Sequence, residues 1–310
     1  MKHLISSQDI DRVGYEEIFR RAKKFVDHGI PTDLCKGKVV ATLFFQPSTR
    51  TQMACQSAML RAGGGWIGVS GSAEGISMSK DESFDDTIRT FGSLSDIIVL
   101  RHPDDNSAES ARDVSLVPVM NGGSGSKEHG MAGALMLFKL FYHGTKPMSE
   151  MRVGIYGTPE INRVCKAMLP VMGMFGMRVV VDDLGHFPFL PEVVERSKAN
   201  GLKELTYDKL DNFIGDVDAL IVTRGMQKGI IPENKFPKEK ADLILKSYKP
   251  ITTEHMKKLR QDAWLLMITP RIFEIDKEVD SDPRAVYSKK EYFVEECLAI
   301  MTYLLDIPVS

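Results

Sequence analysis

The sequence predicts an α/β fold: two doubly wound parallel-sheet domains with an active-site cleft between them. Three observations predict it. Short apolar, β-rich runs alternate with segments of helical apolar spacing, which favours parallel strands covered on both faces. The chain has 310 residues, about twice an ordinary domain. The alternation also restarts after residues 143–151, a polar stretch holding Gly144 and Pro147 near the middle of the chain.

Residues 39–45 (VVATLFF) make the first expected strand. Gln46-Pro47 breaks it, and Ser48 offers an N-cap for a helix over 49–62 that ends at Gly63-Gly64-Gly65. Residues 66–69 read as the next strand, and 83–93 as a helix with apolar residues at Phe84, Ile88 and Phe91. Short strands are expected at 97–100 and 117–120, then an apolar helix over 132–141 behind the glycine-rich loop NGGSGSKEHG. The second half expects a strand at 152–156, a helix at 163–175 and a strand at 178–181. DALIV (218–222) and AWLLM (263–267) read as buried strands, and 288–305 as a closing amphipathic helix. The expected domains are therefore 1–143, completed by a C-terminal helix over 288–310, and 151–287. Trp66 and Trp264 read as core or near-core, and the methionines at 168, 172, 174 and 177 as adaptable core filling.

Composition narrows the function. Forty basic against 42 acidic residues give a net charge of −2, with no surplus to neutralise a nucleic-acid backbone. No apolar run approaches the ~20 residues that span a bilayer, and the N-terminus has no signal-peptide core. Cys35, Cys55, Cys165 and Cys297 are widely spaced and read as reduced thiols of a cytoplasmic protein. GIYGTPEINR holds Gly154 and Gly157 but lacks the last glycine of a dinucleotide fingerprint, which disfavours a nicotinamide cofactor. There is no phosphate-binding loop of the GxxxxGK[ST] type and no HExxH cluster, so no cofactor and no metal are expected.

Pro47-Ser48-Thr49-Arg50-Thr51 lies where a strand turns into a helix, a ready site for an anion: helix N–H groups, three hydroxyls and the Arg50 fork all favour phosphate oxygens. Taken alone, it is equally a capped helix with a surface arginine. Arg101, in Leu100-Arg101-His102-Pro103, ends another strand, and carboxyl ends of parallel strands converge on ligands. His129 precedes a helix and is placed to donate to an oxygen that gains charge. Read singly, these two are also a surface arginine before a proline turn and a loop histidine with a structural contact.

Together the motifs resemble the aspartate/ornithine carbamoyltransferases. PSTRT follows an apolar strand, RHP comes about fifty residues on, and NxGxGSxEH precedes a helix. The resemblance continues through Arg163, Thr223-Arg224 and Pro270-Arg271 over essentially the whole chain, and lies closer to the aspartate branch. It implies that Ser48, Thr49, Arg50 and Thr51 hold the phosphate of carbamoyl phosphate. Arg101 would bridge phosphate and carbonyl oxygen, and His129 would hydrogen-bond that oxygen. Arg163 and Arg224 would bind the carboxylates of a dicarboxylic amino acid, with Gln227, Thr269 and Pro270 completing its pocket. Lys80 would enter a neighbouring subunit's site, which implies a homotrimer with shared sites; a regulatory chain is left open. The implied reaction carbamoylates the α-amino group of aspartate, a step of pyrimidine synthesis.

The sequence departs from that family in four places. His129 is followed by Gly130-Met131-Ala132 where the family has Pro-Thr-Gln, so Ala132 cannot accept from the carbamoyl amide. Met267-Ile268-Thr269-Pro270-Arg271 replaces His-Pro-Leu-Pro-Arg, a change that backbone carbonyls and a cis Thr269-Pro270 bond would accommodate. Gln227 stands one residue beyond the usual spacing from Arg224, and Ile76 replaces a serine near Lys80. Three readings stay open: an active aspartate carbamoyltransferase, a paralogue with another acceptor or acyl phosphate, and a binding or assembly homologue without turnover.

Overall fold

The computed structural model describes residues 1–71, 82–225, 238–288 and 291–309. In its first part α1 (Arg12–His28) precedes β1 (Val39–Phe44), α2 (Thr49–Arg61), β2 (Gly65–Ser70), α3 (Phe84–Ser93), β3 (Ile97–His102), α4 (Ser107–Val114), β4 (Val119–Ser124) and α5 (Gly130–His143). There follow β5 (Arg152–Tyr156), α6 (Arg163–Met174), β6 (Arg178–Asp182), α7 (Pro191–Ala199), β7 (Glu204–Tyr207), α8 (Leu210–Phe213) and β8 (Ala219–Val222). The chain ends with α9 (Lys238–Ser247), α10 (Thr253–Lys258), β9 (Trp264–Met267) and α11 (Phe293–Leu304).

Local chemistry accounts for these limits. The Asp11 carboxylate caps α1 by accepting from the Gly14 amide at 2.8 Å, and Tyr15, Ile18, Phe19, Ala22 and Phe25 form its buried stripe. Ser83 caps α3 through the Asp86 amide, and two aspartates in its first turn complement the helix dipole. Asn162 caps α6 with one side-chain oxygen that accepts from the Val164 and Cys165 amides.

Among the described residues the strands form two parallel sheets, in the orders β2-β1-β3-β4 and β7-β6-β5-β8-β9. Both orders reverse direction once, between β1 and β3 and between β5 and β8. Such a reversal splays the flanking connections apart and opens a crevice at the carboxyl ends of the strands. The doubly wound α/β class expected from the sequence is present in both sheets. In the first, Ala41, Leu43, Ile98, Leu100 and Val119 form one core with residues of α3 and α4. In the second, Val180, Leu220, Leu265 and Met267 pack with Phe213 and Tyr248.

The chain divides into two compact units, residues 1–138 with 292–310, and residues 139–291. The sequence places the break at 143–151, whereas this division falls inside α5. The last turn of that helix groups with the second unit, where Lys139 Nζ pairs with Glu291 at 3.0 Å. The closing helix is shorter than 288–305. Residues Val286–Ser288 make a short 3-10 turn, and α11 starts after Tyr292 at φ +57°. Trp66 is not a core residue: β2 is an edge strand whose side chains alternate, which leaves Trp66 43% exposed. Helices α1, α4, α7, α8, α9 and α10 and strand β7 are additional to the elements expected from the sequence.

Candidate active site

The first unit sets three expected segments on consecutive strand ends. Phe44 and Arg101 are register partners in β1 and β3, and the Phe45 amide donates to the Arg101 carbonyl at 2.8 Å. Ser48, Thr49, Arg50 and Thr51 follow β1, so the loop starts level with Arg101. Ser48 occupies the N-cap position of α2, but its hydroxyl makes no cap hydrogen bond, and Thr49 and Arg50 are exposed. A helix N-terminus with exposed threonine and arginine side chains suits a solvated phosphate.

Arg101 is only 6% exposed. Its guanidinium reaches across to β4, where Nη1 donates to the Gly122 carbonyl at 3.1 Å. That bond fixes the direction of the side chain. His102, the next residue, is wedged edge-on between the rings of Phe45 and Phe84, at 5.2 and 5.4 Å, and its Nδ1 accepts from the Asp104 amide at 3.0 Å. Burial lowers the His102 pKa, which favours its uncharged form.

His129 follows β4 and is buried at the start of α5, where its carbonyl accepts from the Gly133 amide at 3.0 Å. The loop before it closes back on the strand: Ser124 and Glu128 form an isolated antiparallel bridge. Gly125 turns this corner at φ +43°, and a Cβ there would collide with the Asp105 carboxylate, which accepts from the Ser126 amide at 2.7 Å. Ala132 lies in the first turn of α5 and brings no polar group to the place where the family carries glutamine.

The second unit repeats the arrangement. Tyr156, Val222 and Met267 are level across β5, β8 and β9 and end those strands. Arg163 opens α6 after β5 and is buried, Thr223-Arg224 follow β8, and Thr269-Pro270 follow β9. A cross-strand network holds the Arg224 backbone. The Thr158 amide donates to Thr223 Oγ1 at 2.7 Å, and the Thr158 hydroxyl donates to the Arg224 carbonyl at 2.8 Å. Tyr248 donates to the Thr223 carbonyl at 2.5 Å, and the Gly225 amide donates to Glu274 at 3.0 Å. Gly157, at φ +126°, admits no side chain here, because a Cβ would strike the Thr223 hydroxyl.

Glu274 is wholly buried. Besides Gly225 it accepts from the Ile272 and Phe273 amides, at 2.7 and 3.0 Å, so one carboxylate ties the β8 loop to the β9 loop. The Thr269–Pro270 bond is cis. Arg271 is engaged in a fork with Asp280, with Nη2 at 2.8 Å from Oδ2, and Tyr287 donates to the same carboxylate at 2.8 Å. The paired guanidinium holds Asp280 below the usual carboxylate range.

The structure thus gathers Ser48, Thr49, Arg50, Thr51, Arg101 and His129 on one edge of the first sheet. It gathers Arg163, Arg224, Thr269 and Pro270 on one edge of the second. Lys80 and Gln227 lie outside the described residues. Sequence reasoning met Glu128 only as part of the NxGxGSxEH motif and gave it no role, and it missed Thr158 and Glu274, of which Thr158 carried a local signal as a polar residue directly after a strand and a glycine. Among the described residues no group of His, Cys, Asp or Glu forms a metal cluster, and no helix is long and apolar enough to cross a membrane.

Comparison with known proteins agrees with this arrangement. Residues 2–136 match the family model for the carbamoyl-phosphate-binding domain of aspartate/ornithine carbamoyltransferases. The aspartate carbamoyltransferase catalytic subunit of Finegoldia magna is 33% identical over 99% of this chain and 98% of its own. The catalytic subunit of Methanocaldococcus jannaschii aspartate transcarbamoylase superposes with a TM-score of 0.84 at 30% identity, over 99% of this chain and 98% of the other. Trypanosoma cruzi aspartate transcarbamoylase in complex with N-(phosphonacetyl)-L-aspartic acid gives a TM-score of 0.87 at 25% identity, over 98% and 95% of the two chains. On its motifs, its two sheets and its relatives over nearly the whole length, the chain belongs to the aspartate/ornithine carbamoyltransferase family.

Proposed function

We propose that this protein transfers the carbamoyl group of carbamoyl phosphate to the α-amino group of aspartate and releases phosphate. One observation carries the reading. Each sheet sets two anion-seeking segments on the adjacent strand ends of its reversal point: the Arg50 loop beside Arg101, and Arg163 beside Thr223-Arg224. A phosphate ester and a dicarboxylate are the pair of small anions that such a molecule would take. Carbamoyl phosphate falls to residues 1–138 with the C-terminal helix, and the amino acid to residues 139–291.

In the reaction the uncharged amine attacks the carbamoyl carbon, a C–N bond forms, and charge builds on the carbonyl oxygen. Thr51, Arg101 and His129 stabilise that oxygen. Collapse breaks the bond to the phosphate oxygen, the surplus proton of the attacking amine passes to the leaving phosphate, and that phosphate remains with Ser48, Thr49 and Arg50 until it departs. The step calls for positioning and preorganised charge, and each donor aimed at the oxyanion contributes up to ~3 kcal/mol. Gln227, Thr269 and Pro270 would complete the amino-acid pocket.

Lys80 supplied by a neighbouring subunit, and with it a homotrimer, belongs to the same proposal. The edge strand β2 supports an association there: Trp66 on β2 and Met53 on the adjoining α2 are both exposed. Four buried cysteines without a disulfide fit a cytoplasmic setting.

A second reading, transfer to a different acceptor, draws on Ala132 and on the displaced Gln227. Assaying carbamoylated product with aspartate, ornithine and a panel of other amines separates the two. Aspartate as the preferred acceptor supports the proposal. Preference for another amine transfers the function to the second reading, and no product with any acceptor leaves a binding homologue.

A further inference from the structure

Glu128 is a buried carboxylate that the reaction above does not use, and it stands immediately before His129. It is 6% exposed, and both of its oxygens are engaged by the start of the chain. The Ser7 amide donates to Oε1 at 2.8 Å, and the Ser6 hydroxyl donates to Oε2 at 2.9 Å. Its backbone carbonyl accepts from the Ser124 amide at 3.4 Å, which closes the loop onto the end of β4.

Residues 4–7 are themselves strapped to that strand. The Leu4 amide donates to the Val119 carbonyl at 2.9 Å, and the Asn121 amide donates to the Leu4 carbonyl at 2.8 Å, which adds a short parallel rung beside β4. The Asn121 side chain donates to the Ile5 carbonyl at 2.8 Å. Asp9 accepts from the Ile5 and Ser6 amides at 2.7 and 2.9 Å, and Tyr15 donates to the Ser7 carbonyl at 3.0 Å. The strap is therefore fixed independently of the loop, and Glu128 is the side chain that fastens the loop to it. With the His129 carbonyl bound by the Gly133 amide, the histidine backbone is anchored on both sides.

We propose that Glu128 is a positioning residue for carbamoyl transfer: by clamping the loop to Ser6 and Ser7, it sets the place of the His129 imidazole. This rests on the reading of His129 as a donor to the carbamoyl oxygen. Burying a carboxylate is costly unless donors surround it, and here both donors come from the strap, so the clamp and the burial depend on each other. An ångström of misplacement at a reacting centre costs about 100-fold in rate.

The test is a kinetic cycle on the full-length enzyme: Glu128→Ala, Glu128→Gln, His129→Ala and the double variant Glu128→Ala/His129→Ala. Glu128→Ala should lower kcat by about ten- to 100-fold and leave the KM for aspartate within about twofold. Glu128→Gln, which still accepts from the Ser7 amide, should recover most of the loss. The double variant should be no slower than His129→Ala alone. Should Glu128→Ala fail to fold, Ser6→Ala removes a single donor and should show a smaller kcat loss that vanishes in the His129→Ala background. Additive losses in the double variant, or Gln as damaging as Ala, overturn this proposal alone. A wild-type kcat in His129→Ala overturns the histidine's role and this proposal with it.

Discussion

Phe44 and Arg101 stand opposite one another in the parallel ladder of β1 and β3. The phosphate-seeking loop leaves one strand at the level where the other presents its arginine. Parallel register thus brings two motifs about fifty residues apart to adjacent strand ends, where the proposed reaction needs its anion site. Arg50→Ala is therefore expected to abolish carbamoyl-phosphate binding measured by calorimetry. Arg101→Ala should lower kcat by about 10²–10³, the cost of losing one donor aimed at the oxyanion. Unchanged affinity in the first variant would remove the loop from the site.

Thr158 tests the other unit. Its hydroxyl holds the Arg224 carbonyl while its amide holds Thr223. Thr158→Val removes the first bond and keeps the second. With about 1 kcal/mol for the lost hydrogen bond, steady-state kinetics should show the KM for aspartate rising about fivefold, with kcat changed less than about twofold. An unchanged KM would separate Arg224 from the amino-acid pocket.

Ala132 is the departure closest to the proposed chemistry. The first turn of α5 holds this residue three positions after His129, so a longer polar side chain there starts from the family's place. Ala132→Gln should raise kcat/KM for carbamoyl phosphate by about fivefold, the worth of about one hydrogen bond. A flat response would mean that the carbamoyl amide is met elsewhere.

The sequence made the strand ends legible because their chemistry is local: PSTRT, RHP and Thr223-Arg224 each follow an apolar run within a few residues. Arg152–Tyr156 matches the expected strand, and α2 falls one residue short of its expected end. The long-range contacts of Glu128 and Glu274 were not legible, although Glu128 itself stands in the NxGxGSxEH motif. Their distant partners, Ser6 and Ser7 in one case and Gly225 in the other, lie about 120 and 49 residues away, so no window of the chain contains both halves of either of these contacts. Helix α1 was readable from its Tyr15, Ile18, Phe19, Ala22 and Phe25 spacing. Trp66 defeated the rule that large aromatics are buried, because its strand closes the edge of a sheet.

His143 makes stability depend on pH. Burial, reinforced by the Lys139 charge, brings its pKa from 6.5 down to about 4. The folded protein therefore resists protonation while the unfolded chain accepts it. No penalty exists above pH 6.5, and stability falls as the pH drops from 6.5 toward 4, by at most about 1.4 kcal/mol per pH unit from this group. His143→Phe keeps the aromatic contact with Trp264 and removes the titration. Thermal unfolding at pH 7.5, 6 and 5 should show a shallower decline in the variant, whereas parallel declines would acquit the histidine.

Joining the carbamoyl group to aspartate must yield phosphate and carbamoyl-aspartate together. Purified enzyme is supplied with carbamoyl phosphate labelled at the carbonyl carbon and with aspartate, and phosphate and carbamoyl-aspartate are quantified together. Equal amounts of the two products are expected, with saturation in both substrates and a parallel fall of about 10²–10³ in both products in Arg101→Ala. Phosphate release without carbamoyl-aspartate, or no turnover at saturating substrates, would contradict the proposed transfer.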